Sequence, residues 1–487
     1  MMRRQGSVLV ALLWCMVFLS LLVFGSLYTS RAALSASKNS QDRIQAHFLA
    51  LAGVEKAKAL IFHDARARKA AARHHSGDLY NAPNEFREVP LGRGTFSVIR
   101  RGSDEEGSAL VYGISDEESR LNINSCELQD LTRVPQMPAE TAASIVDWRD
   151  NDGQAQPGGA EQEYYASLKP PYLPRNDRIQ TAREMLLIRG VSEAALLGED
   201  ANANGLLDDE EDDGAESHPN DNGDGKLNVG WASIFAYESE VPNTAADGSA
   251  RINVQTASEN DLSGVAGMTP QIAKAIVEWR EQNKIENLAQ LLEVKALAPR
   301  PPGSGVLTPG GRPGAPGQLQ RAPNAPPAEG PPGSPTPATP GGSPAGQQGQ
   351  APRQPTGPEL INEDLFLDIA DYLAVDDETR TVGPININTA SALVLRTLPG
   401  VSDELAQAII MHRNSAGYFA NAAHVLRVSG MTRDIYKQIA PRITARSETF
   451  RILSEGQVQS SGARSRIEVV IRLGSSYVDT LHYRENL

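Results

Sequence analysis

The first feature along the chain is a long apolar stretch near the amino terminus. Residues 7–28 contain no charged side chain, and a helix of that length spans ~33 Å, enough to cross a hydrocarbon layer of ~30 Å. Arg3 and Arg4 precede it, so the positive-inside rule keeps the short head in the cytoplasm and places the rest of the chain across the membrane. A cleaved secretory signal is the alternative, but its apolar core runs about 7–15 residues. The pattern favours a retained anchor.

Beyond the anchor, apolar side chains recur every three or four residues as far as Phe62. This is the spacing of one helix face, and no proline interrupts it. A continuous helix from Ser7 to about Phe62 would be ~85 Å long, half of it in lipid and half packed under a globular head. A coiled-coil dimer is the competing prediction, but the spacing lacks a sustained heptad.

Three later segments repeat one pattern. Each copy begins with an apolar residue followed by Asn, at residues 121–124, 252–255 and 385–388. The same alignment, without gaps, superposes residues 142–149, 273–280 and 406–413. Each copy predicts an extended start, a helix, a tight turn and a second helix. Trp148 and Trp279 stand at equivalent places, which favours core packing over ligand stacking.

The turns of the second and third copies contain Gly267 and Gly400, and the units resemble helix-hairpin-helix motifs. Such hairpins often bind DNA by directing turn amides at a phosphate. That function requires cations nearby, whereas the second helix of the third copy begins with Asp403 and Glu404. A structural or protein-interaction role is therefore favoured over DNA binding.

Two acidic segments follow the twelve-residue spacing of calcium loops. In residues 200–211, which we call loop one, oxygen-bearing side chains stand at places 1, 3, 5, 9 and 12, and a glycine permits the sharp turn at place 6. The expected ligands are Asp200, Asn202, Asn204, Leu206 through its carbonyl, Asp208 and Glu211. All the required places are filled, so we expect bound Ca²⁺.

The second segment, residues 220–231 or loop two, is less complete. The expected ligands are Asn220, Asn222, Asp224, Lys226 through its carbonyl and Asn228. Trp231 stands at place 12, so this site is weaker or takes a carboxylate from elsewhere, with Asp212 and Asp213 as candidates. The alternative for both segments is a solvated acidic loop, because residues 193–224 contain no Lys or Arg.

A stretch rich in proline and glycine separates the motifs. Residues 298–358 hold 18 of the 32 prolines and 13 glycines, so they cannot build a core. Without a strict glycine at every third place they are not collagen, and they predict a flexible, partly polyproline II tether between the second and third copies. A binding role for its Pro-x-x-Pro motifs is the less favoured alternative.

Composition excludes several classes of function. The net charge of −14 argues against a protein that coats nucleic acid. The two cysteines, Cys15 and Cys126, exclude a disulfide framework and a cysteine-based zinc site. No catalytic motif is present, and His74 and His75 lie in a polar stretch that predicts a solvated loop. We therefore do not expect an enzyme.

The amino terminus resembles a type IV prepilin leader. In such leaders a prepilin peptidase cuts after the glycine, here between Gly6 and Ser7, and the apolar helix is kept. Leaders of this kind usually have Glu five places after the cut, where its carboxylate meets a neighbouring subunit, whereas this chain has Ala11. A buried carboxylate without a partner is costly, so a subunit with nothing above it would do better with an apolar residue. This departure is typical of the tip-located pseudopilin of the K type.

The first repeat extends the resemblance. It is similar to the signature of the type II secretion system protein K family at residues 145–152, 159–161, 164–165, 170–172 and 184–190. The resemblance implies a pilin-like layer with a helical domain inserted between its strands, and calcium binding. Alternating residues predict strands at 95–100 and 109–114 before the repeats, and at 450–453, 466–473 and 477–481 after them.

The predicted fold class is α+β. It combines a long amino-terminal pilin-type helix on a small antiparallel sheet with a large inserted all-α domain of helix-hairpin-helix (SAM-like) repeats. The expected segments are a leader at 1–6, the membrane part of the helix at 7–28, the pilin-like helix and first strands at 29–120, repeats one and two with the acidic loops at 121–297, the linker at 298–358, repeat three at 359–446 and the last strands at 447–487.

The resemblance implies a minor pseudopilin at the tip of the type II secretion pseudopilus, which starts its assembly and supports protein export across the outer membrane. The expected partners are I- and J-type minor pseudopilins, the inner-membrane secretion platform and prepilin peptidase, without nucleic acid. The chain would be a single-pass protein of the bacterial inner membrane with a periplasmic head. The alternatives are a membrane-anchored hairpin receptor for DNA and an envelope interaction protein without a role in secretion.

Overall fold

The computed structural model describes residues 5–103, 106–107, 110–214, 221–296, 357–474 and 476–485, with side chains from Val8 onward. Two compact units divide the chain. One contains Met1–Val294 together with Ile361–Leu487, and the other is Lys295–Leu360.

The described helices differ widely in length. In chain order they are α1 (Gln5–Ala70), α2 (Pro83–Phe86), α3 (Leu128–Leu131), α4 (Ala139–Arg149), α5 (Gln162–Ala166), α6 (Ala182–Met185), α7 (Glu193–Leu196), α8 (Glu259–Ser263), α9 (Pro270–Arg280), α10 (Glu363–Ile369), α11 (Ala392–Leu395), α12 (Asp403–Ala416) and α13 (Arg433–Ile439). Short 3₁₀ helices accompany them at Asp209–Glu211, Trp231–Ser233, Leu288–Glu293, Ala370–Tyr372, Ala422–Arg427 and Ala440–Arg442.

Most of the described strands are short; of the four long ones, one precedes the repeats and three lie near the carboxyl terminus. They are β1 (Val89–Leu91), β2 (Gly94–Arg101), β3 (Leu110–Val111), β4 (Ser115–Asp116), β5 (Leu121–Asn122), β6 (Phe235–Ala236), β7 (Glu240–Pro242), β8 (Ile252–Asn253), β9 (Leu373–Ala374), β10 (Arg380–Val382), β11 (Ile385–Asn386), β12 (Ile443–Thr444), β13 (Thr449–Val458), β14 (Arg464–Leu473) and β15 (Val478–Glu485).

Helix α1 is one unbroken rod that extends eight residues beyond the predicted end, to Ala70. Its apolar amino-terminal part is exposed, whereas the later turns bury a stripe against the sheet. That stripe consists of Ala46, Leu49, Ala50, Val54, Ala57 and Ile61. Beyond Phe62 the last turns are stabilised by local contacts of Arg68, which bonds to Asp64 within the helix at 2.8 Å and to the carbonyl of His74 just after it at 2.7 Å.

Seven of the described strands form one antiparallel sheet. Its order is β1-β2-β13-β14-β15, with β3 on β2 and β4 on β13. Strand β2, from before the repeats, pairs with β13, from after them, so the sheet is discontinuous in sequence. Glycines allow α1 to approach closely, since a Cβ on Gly456 would lie 2.1 Å from the carbonyl oxygen of Ala46. The predicted α+β fold class, with a helical domain inserted into a pilin-like layer, is confirmed.

Each repeat begins with a two-residue strand and a recurring asparagine turn. The side-chain oxygens of Asn122, Asn253 and Asn386 accept hydrogen bonds from the backbone N–H two residues later at 2.8, 2.9 and 2.9 Å. The starting strands pair in parallel with later ones: β5 with β6, β8 with β9 and β11 with β12. The sequence did not predict these pairs, because two-residue strands are too short to show a periodicity.

The position of the proline-rich stretch differs from the prediction. Strand β9, which pairs with β8 and completes the second repeat, follows that stretch in the chain. Residues 298–358 therefore interrupt the second repeat, and the range 359–446 assigned to the third repeat includes the last elements of the second. Within its own unit, the Ala296 N–H donates to the carbonyl of Pro358 at 3.0 Å. The predicted polyproline conformation concerns residues outside the described ranges.

Candidate functional site

Loop one folds as its spacing predicts. The carboxylate of Asp200 accepts hydrogen bonds from the backbone N–H groups of Asn204 at 2.9 Å and Gly205 at 3.0 Å. The turn requires Gly205, whose φ is +75°. The chain thus wraps around the first carboxylate of the loop.

The middle of loop one brings its other polar side chains together. The amide groups of Asn202 and Asn204 donate to one oxygen of Asp208 at 3.0 and 2.9 Å. The side-chain oxygen of Asn204 accepts from the backbone N–H of Leu206 at 2.6 Å. Carboxylate and amide oxygens at these places are the ligand set that Ca²⁺ prefers.

Glu211 closes loop one. Only 3% of this residue is exposed, and its two carboxylate oxygens accept from the N–H groups of Ala201 at 3.0 Å and Asp208 at 3.1 Å. Burial raises the pKa of Glu211 to about 7, with a contribution from the charge of Asp200. Burial likewise raises the pKa of Asp200 to about 6. Two buried carboxyl groups in one oxygen-lined loop fit a site that a divalent cation would neutralise.

Loop one lies against the pilin-like sheet. Leu206 is buried in a cluster with Ile99 of β2 and Leu453 of β13. Arg484 of β15 donates to the backbone carbonyls of Asn202 at 2.8 Å and Ala203 at 3.2 Å. Sequence reasoning missed this role of Arg484, because 282 residues separate it from Asn202.

A second arginine bonds to a predicted ligand. Arg466 of β14 donates to Asp208, and it also bonds to Glu455 at 2.8 Å. Burial by itself would raise the pKa of Asp208, but the hydrogen bond and charge of Arg466 and the bonds from the two asparagine amides hold that pKa below its usual range. The guanidinium occupies one oxygen of Asp208, and the other accepts from the two asparagines.

Loop two uses a carboxylate from outside its own twelve residues. Asn220 lies outside the described residues, whereas Asn222 and Asp224 form successive turns in which they accept from the N–H groups two residues later at 3.0 and 2.9 Å. The N–H of Gly225 donates to Asp212 at 3.1 Å. Gly205 makes the corresponding bond to Asp200 in loop one, so Asp212 occupies the position expected for the first ligand.

The last residues of loop two are held by hydrogen bonds to other parts of the chain. Asn228 is held by Glu199, which accepts from its backbone N–H at 2.8 Å and its side-chain amide at 2.9 Å. Lys226 is exposed. Trp231, at place 12, is buried and donates to the carbonyl of Pro135 at 3.0 Å. The loop therefore ends in a packing residue instead of a carboxylate.

The predicted hairpin turns form, and other elements cover them. Gly400 and Gly267 have φ values of +75° and +87°. A Cβ on Gly400 would lie 3.4 Å from the side chain of Ile435 in α13, and one on Gly267 would lie 3.0 Å from Leu365 in α10. At the third turn Arg396 pairs with Asp403 at 2.8 Å. These contacts favour a packing role for the hairpins.

An arginine at the end of each second hairpin helix closes the repeat. Each guanidinium donates to the carbonyl oxygen 26 residues before it. The pairs are Arg149 with Ile123, Arg280 with Val254 and Arg413 with Ile387. The alignment had marked these arginines without assigning them a contact.

The prediction of a solvated loop at the two histidines is wrong. Only 4% of His74 is exposed, and its Nε2 contacts Asp371. His75 stacks on Tyr80 with ring centroids 5.2 Å apart. Trp148 is buried as predicted, whereas Trp279, at the equivalent place in the second repeat, is only half-buried. The histidines are buried because residues distant in the chain cover them.

The predicted cleavage site lies at the edge of the described residues. Gly6 and Ser7 lie within α1, but their side chains are outside the described part. Among the described residues one helix is long and apolar enough to cross a membrane. This agrees with the predicted single-pass anchor.

Comparisons with known proteins identify the first repeat and two hairpin segments. Residues 119–197 match the family described as type II secretion system (T2SS), protein K, and residues 248–300 and 381–444 match the helix-hairpin-helix motif. Type II secretion system protein K of Klebsiella pneumoniae is 27% identical over 204 residues, which are 39% of this chain and 60% of the relative. The chain is thus similar to protein K over these residues, and the resemblance is confirmed.

A solved structure is also similar. It is the GspK-GspI-GspJ complex of the type 2 secretion system from enterotoxigenic Escherichia coli, with a TM-score of 0.39 and 12% identity. The match covers 94% of this chain and 99% of the chain compared.

Proposed function

We propose that the protein is a minor pseudopilin that lies at the tip of a type II secretion pseudopilus and starts its assembly. The observation that carries this proposal is Ala11, in an apolar span without a carboxylate. A subunit with nothing above it has no partner for a buried acid, and an unpaired one would be costly in the membrane.

The position of the inserted domain supports the proposal. Gly456 of β13 lies against Ala46, while Phe450, at the other end of the strand, shares a core cluster with Ile61. The inserted domain leaves the sheet after β4 and returns at β13, beside the carboxyl-terminal half of α1 and away from the apolar span. A large domain there would obstruct a further subunit above it.

The proposed partners follow from the relation to protein K. They are I- and J-type minor pseudopilins, the inner-membrane platform and a prepilin peptidase, and the head would be periplasmic. The peptidase step is tested by the mass of the mature chain, which should begin at Ser7. The variant Gly6→Leu should retain its leader uncleaved, whereas the control variant Gln5→Ala should still be cleaved. A mature chain that starts after the apolar span would contradict the anchor.

The tip position is tested on isolated fibres. An epitope at the carboxyl terminus, detected by gold-labelled antibody, should mark one end of each fibre, and deletion of the protein should reduce the number of fibres. Label distributed along the shafts would overturn the proposal.

We also propose that loop one binds Ca²⁺. The ion would be held by Asp200, Asn202, Asn204, Asp208, Glu211 and the carbonyl of Leu206. The ion would neutralise two buried carboxylates, and the loop would then stabilise the contact between the inserted domain and the sheet. Loop two would contribute a weaker site through Asn222, Asp224, Asn228 and Asp212.

DNA binding is the second candidate, because two segments match the helix-hairpin-helix motif. A mobility shift of the full-length protein in detergent with duplex DNA, at moderate salt, tests it. We expect no shift, because Asp403 and Glu404 begin the helix after the third turn. Tight binding that Gly400→Val abolishes would favour the receptor function instead.

A further inference from the structure

We infer that Asp116 and Glu118 share one proton, and that this proton stabilises the attachment of the inserted domain to the pilin-like sheet. The two residues lie where the chain leaves the sheet after β4. The chain returns beside them in residues 447–450, and we call the two segments together the joint. A joint that depends on a proton becomes weaker as the pH rises.

Three distant segments of the chain meet at this pair of acids. Asp116 pairs with Phe450 of β13, where the inserted domain ends. The backbone N–H of Asn386, at the start of the third repeat, donates to the carbonyl of Glu118 at 2.7 Å. Asp116 is 3% exposed and Glu118 is fully buried. The pair therefore connects the sheet to the inserted domain in a place that bulk water does not reach.

Asp116 has the partners of an ionised carboxylate. One of its oxygens accepts from the amide of Asn386 at 2.9 Å, from the hydroxyl of Ser447 at 2.5 Å and from the hydroxyl of Thr389. Its other oxygen accepts from the backbone N–H of Glu118 at 2.8 Å. Four donors on one buried carboxyl group stabilise its negative charge.

Glu118 has the partners of a neutral acid. Its Oε2 accepts from the backbone N–H groups of Thr449 at 3.0 Å and Glu448 at 3.3 Å. Its Oε1 is buried and receives no donor, and the side chain lies within hydrogen-bonding distance of the carboxyl group of Asp116. A proton on Oε1 makes this oxygen a donor to Asp116. Without the proton, a second buried charge would stand next to the first.

The arginines around the joint are paired with other acids. Arg451 of β13 bonds to Glu117 at 2.7 Å. Arg446, just before the joint, bonds to Glu448. These positive charges are already balanced by carboxylates of their own, so a proton is the means by which Glu118 becomes neutral.

The other titratable groups near the joint keep one charge state. Tyr80 donates to Ser447 at 3.3 Å, and burial and the charge of Asp116 raise its pKa, so it stays neutral. His75 stacks on Tyr80, and burial lowers its pKa to about 3. Arg68 faces Tyr80 from α1 and bonds to an acid of its own helix at 2.8 Å. The pH dependence of the joint therefore comes from the two acids.

The direction of that dependence follows from the surroundings. Burial raises the pKa of Glu118, and the charge of Asp116 raises it further. Burial also raises the pKa of Asp116, against the effect of its hydrogen bonds. An unfolded glutamate has a pKa of about 4.3. The stability from the proton is thus complete below that value and is lost as the pH rises through the higher pKa of the folded state.

The test compares Glu118→Gln with Glu117→Gln in the full-length protein in detergent, with chelator present. A glutamine at 118 has the shape and the hydrogen bonds of the neutral acid, but it cannot lose a proton. Glu117 is equally buried, but Arg451 keeps it ionised and lowers its pKa against the effect of burial. Thermal unfolding is followed from pH 5 to pH 8.

The two variants should behave in opposite ways. The melting temperature of the parent should fall relative to that of Glu118→Gln, by about 2 °C for each pH unit. Glu117→Gln should be less stable than the parent at every pH, because it leaves Arg451 without its partner. If Glu118→Gln loses as much stability as Glu117→Gln throughout, Glu118 is ionised and the inference is wrong.

Infrared spectroscopy detects the proton directly. At neutral pH the parent should show the C=O stretching band of one more protonated carboxyl group than Glu118→Gln, and Glu117→Gln should show the same band as the parent. Absence of this difference would overturn the shared proton. A constant difference in melting temperature between the parent and Glu118→Gln from pH 5 to pH 8 would overturn the pH sensitivity of the joint.

Discussion

The two acidic loops of the first repeat share one spacing but are held in place differently. Loop one rests on the sheet through Leu206, Arg466 and Arg484, and its own Glu211 closes it. Loop two lacks a carboxylate at place 12, and Asp212 takes the role of its first residue. Loop one has carboxylates of its own at both ends and is held against the sheet by tertiary contacts, whereas loop two takes a carboxylate from Asp212 nearby.

The largest effect should come from removing the acids of loop one. Calcium at 100 times its dissociation constant stabilises a folded site by about 2.7 kcal/mol, so Asp200→Ala combined with Glu211→Gln should remove that part of the calcium-induced rise in melting temperature. Asp224→Ala in loop two should remove much less. Thermal unfolding of the full-length protein in detergent, with millimolar calcium or chelator, gives the comparison. An undiminished rise in the double variant would refute the site in loop one.

The next effect is a dependence of calcium binding on pH. The pKa values of about 6 for Asp200 and about 7 for Glu211 lie above those of the unfolded chain. Without calcium, the stability that these groups add is present at low pH and is lost as the pH rises through about 6 to 7. Calcium requires the ionised forms, so its affinity should fall about tenfold or more between pH 7.5 and 5.5. Calorimetric titration at the two pH values measures it, and an affinity that does not change would contradict the burial of these acids.

A smaller effect should distinguish the docking of the two loops. Arg484→Met removes two hydrogen bonds from a charged group to loop one. It also removes the ion pair of Arg484 with the buried Glu468 at 2.9 Å, so the variant should cost about 1.5–3 kcal/mol, allowing for the partial exposure of the side chain. Lys226→Met in loop two should change stability by less than about 0.5 kcal/mol. Denaturant unfolding checks both. Equal losses would show that docking does not separate the loops.

The smallest effect concerns the carboxylate that serves loop two. Asp212→Asn should change the stability of the calcium-free protein by less than about 0.5 kcal/mol, because the residue is exposed. It should weaken calcium binding at loop two alone. The control is Asp209→Asn, an exposed acid of loop one that is not at a ligand place. If the two variants titrate identically, Asp212 is not a ligand.

Several features of this protein follow from the sequence alone. Residue spacings within short stretches of sequence indicate the long helix, the strand segments, the three repeats and loop one. Side chains that face one side of a helix, or converge in one loop, must recur at intervals set by local backbone geometry. Loop one accordingly folds around Asp200 and Glu211 as its spacing predicts.

The remaining features were decided by contacts between distant parts of the chain. They are the pairing of β2 with β13, the pairing of β8 with β9 and the docking of loop one by Arg484, each of which joins residues more than a hundred positions apart. The burial of His74 against Asp371 is of the same kind. Burial and partner choice are properties of the packed chain, and no local spacing records them.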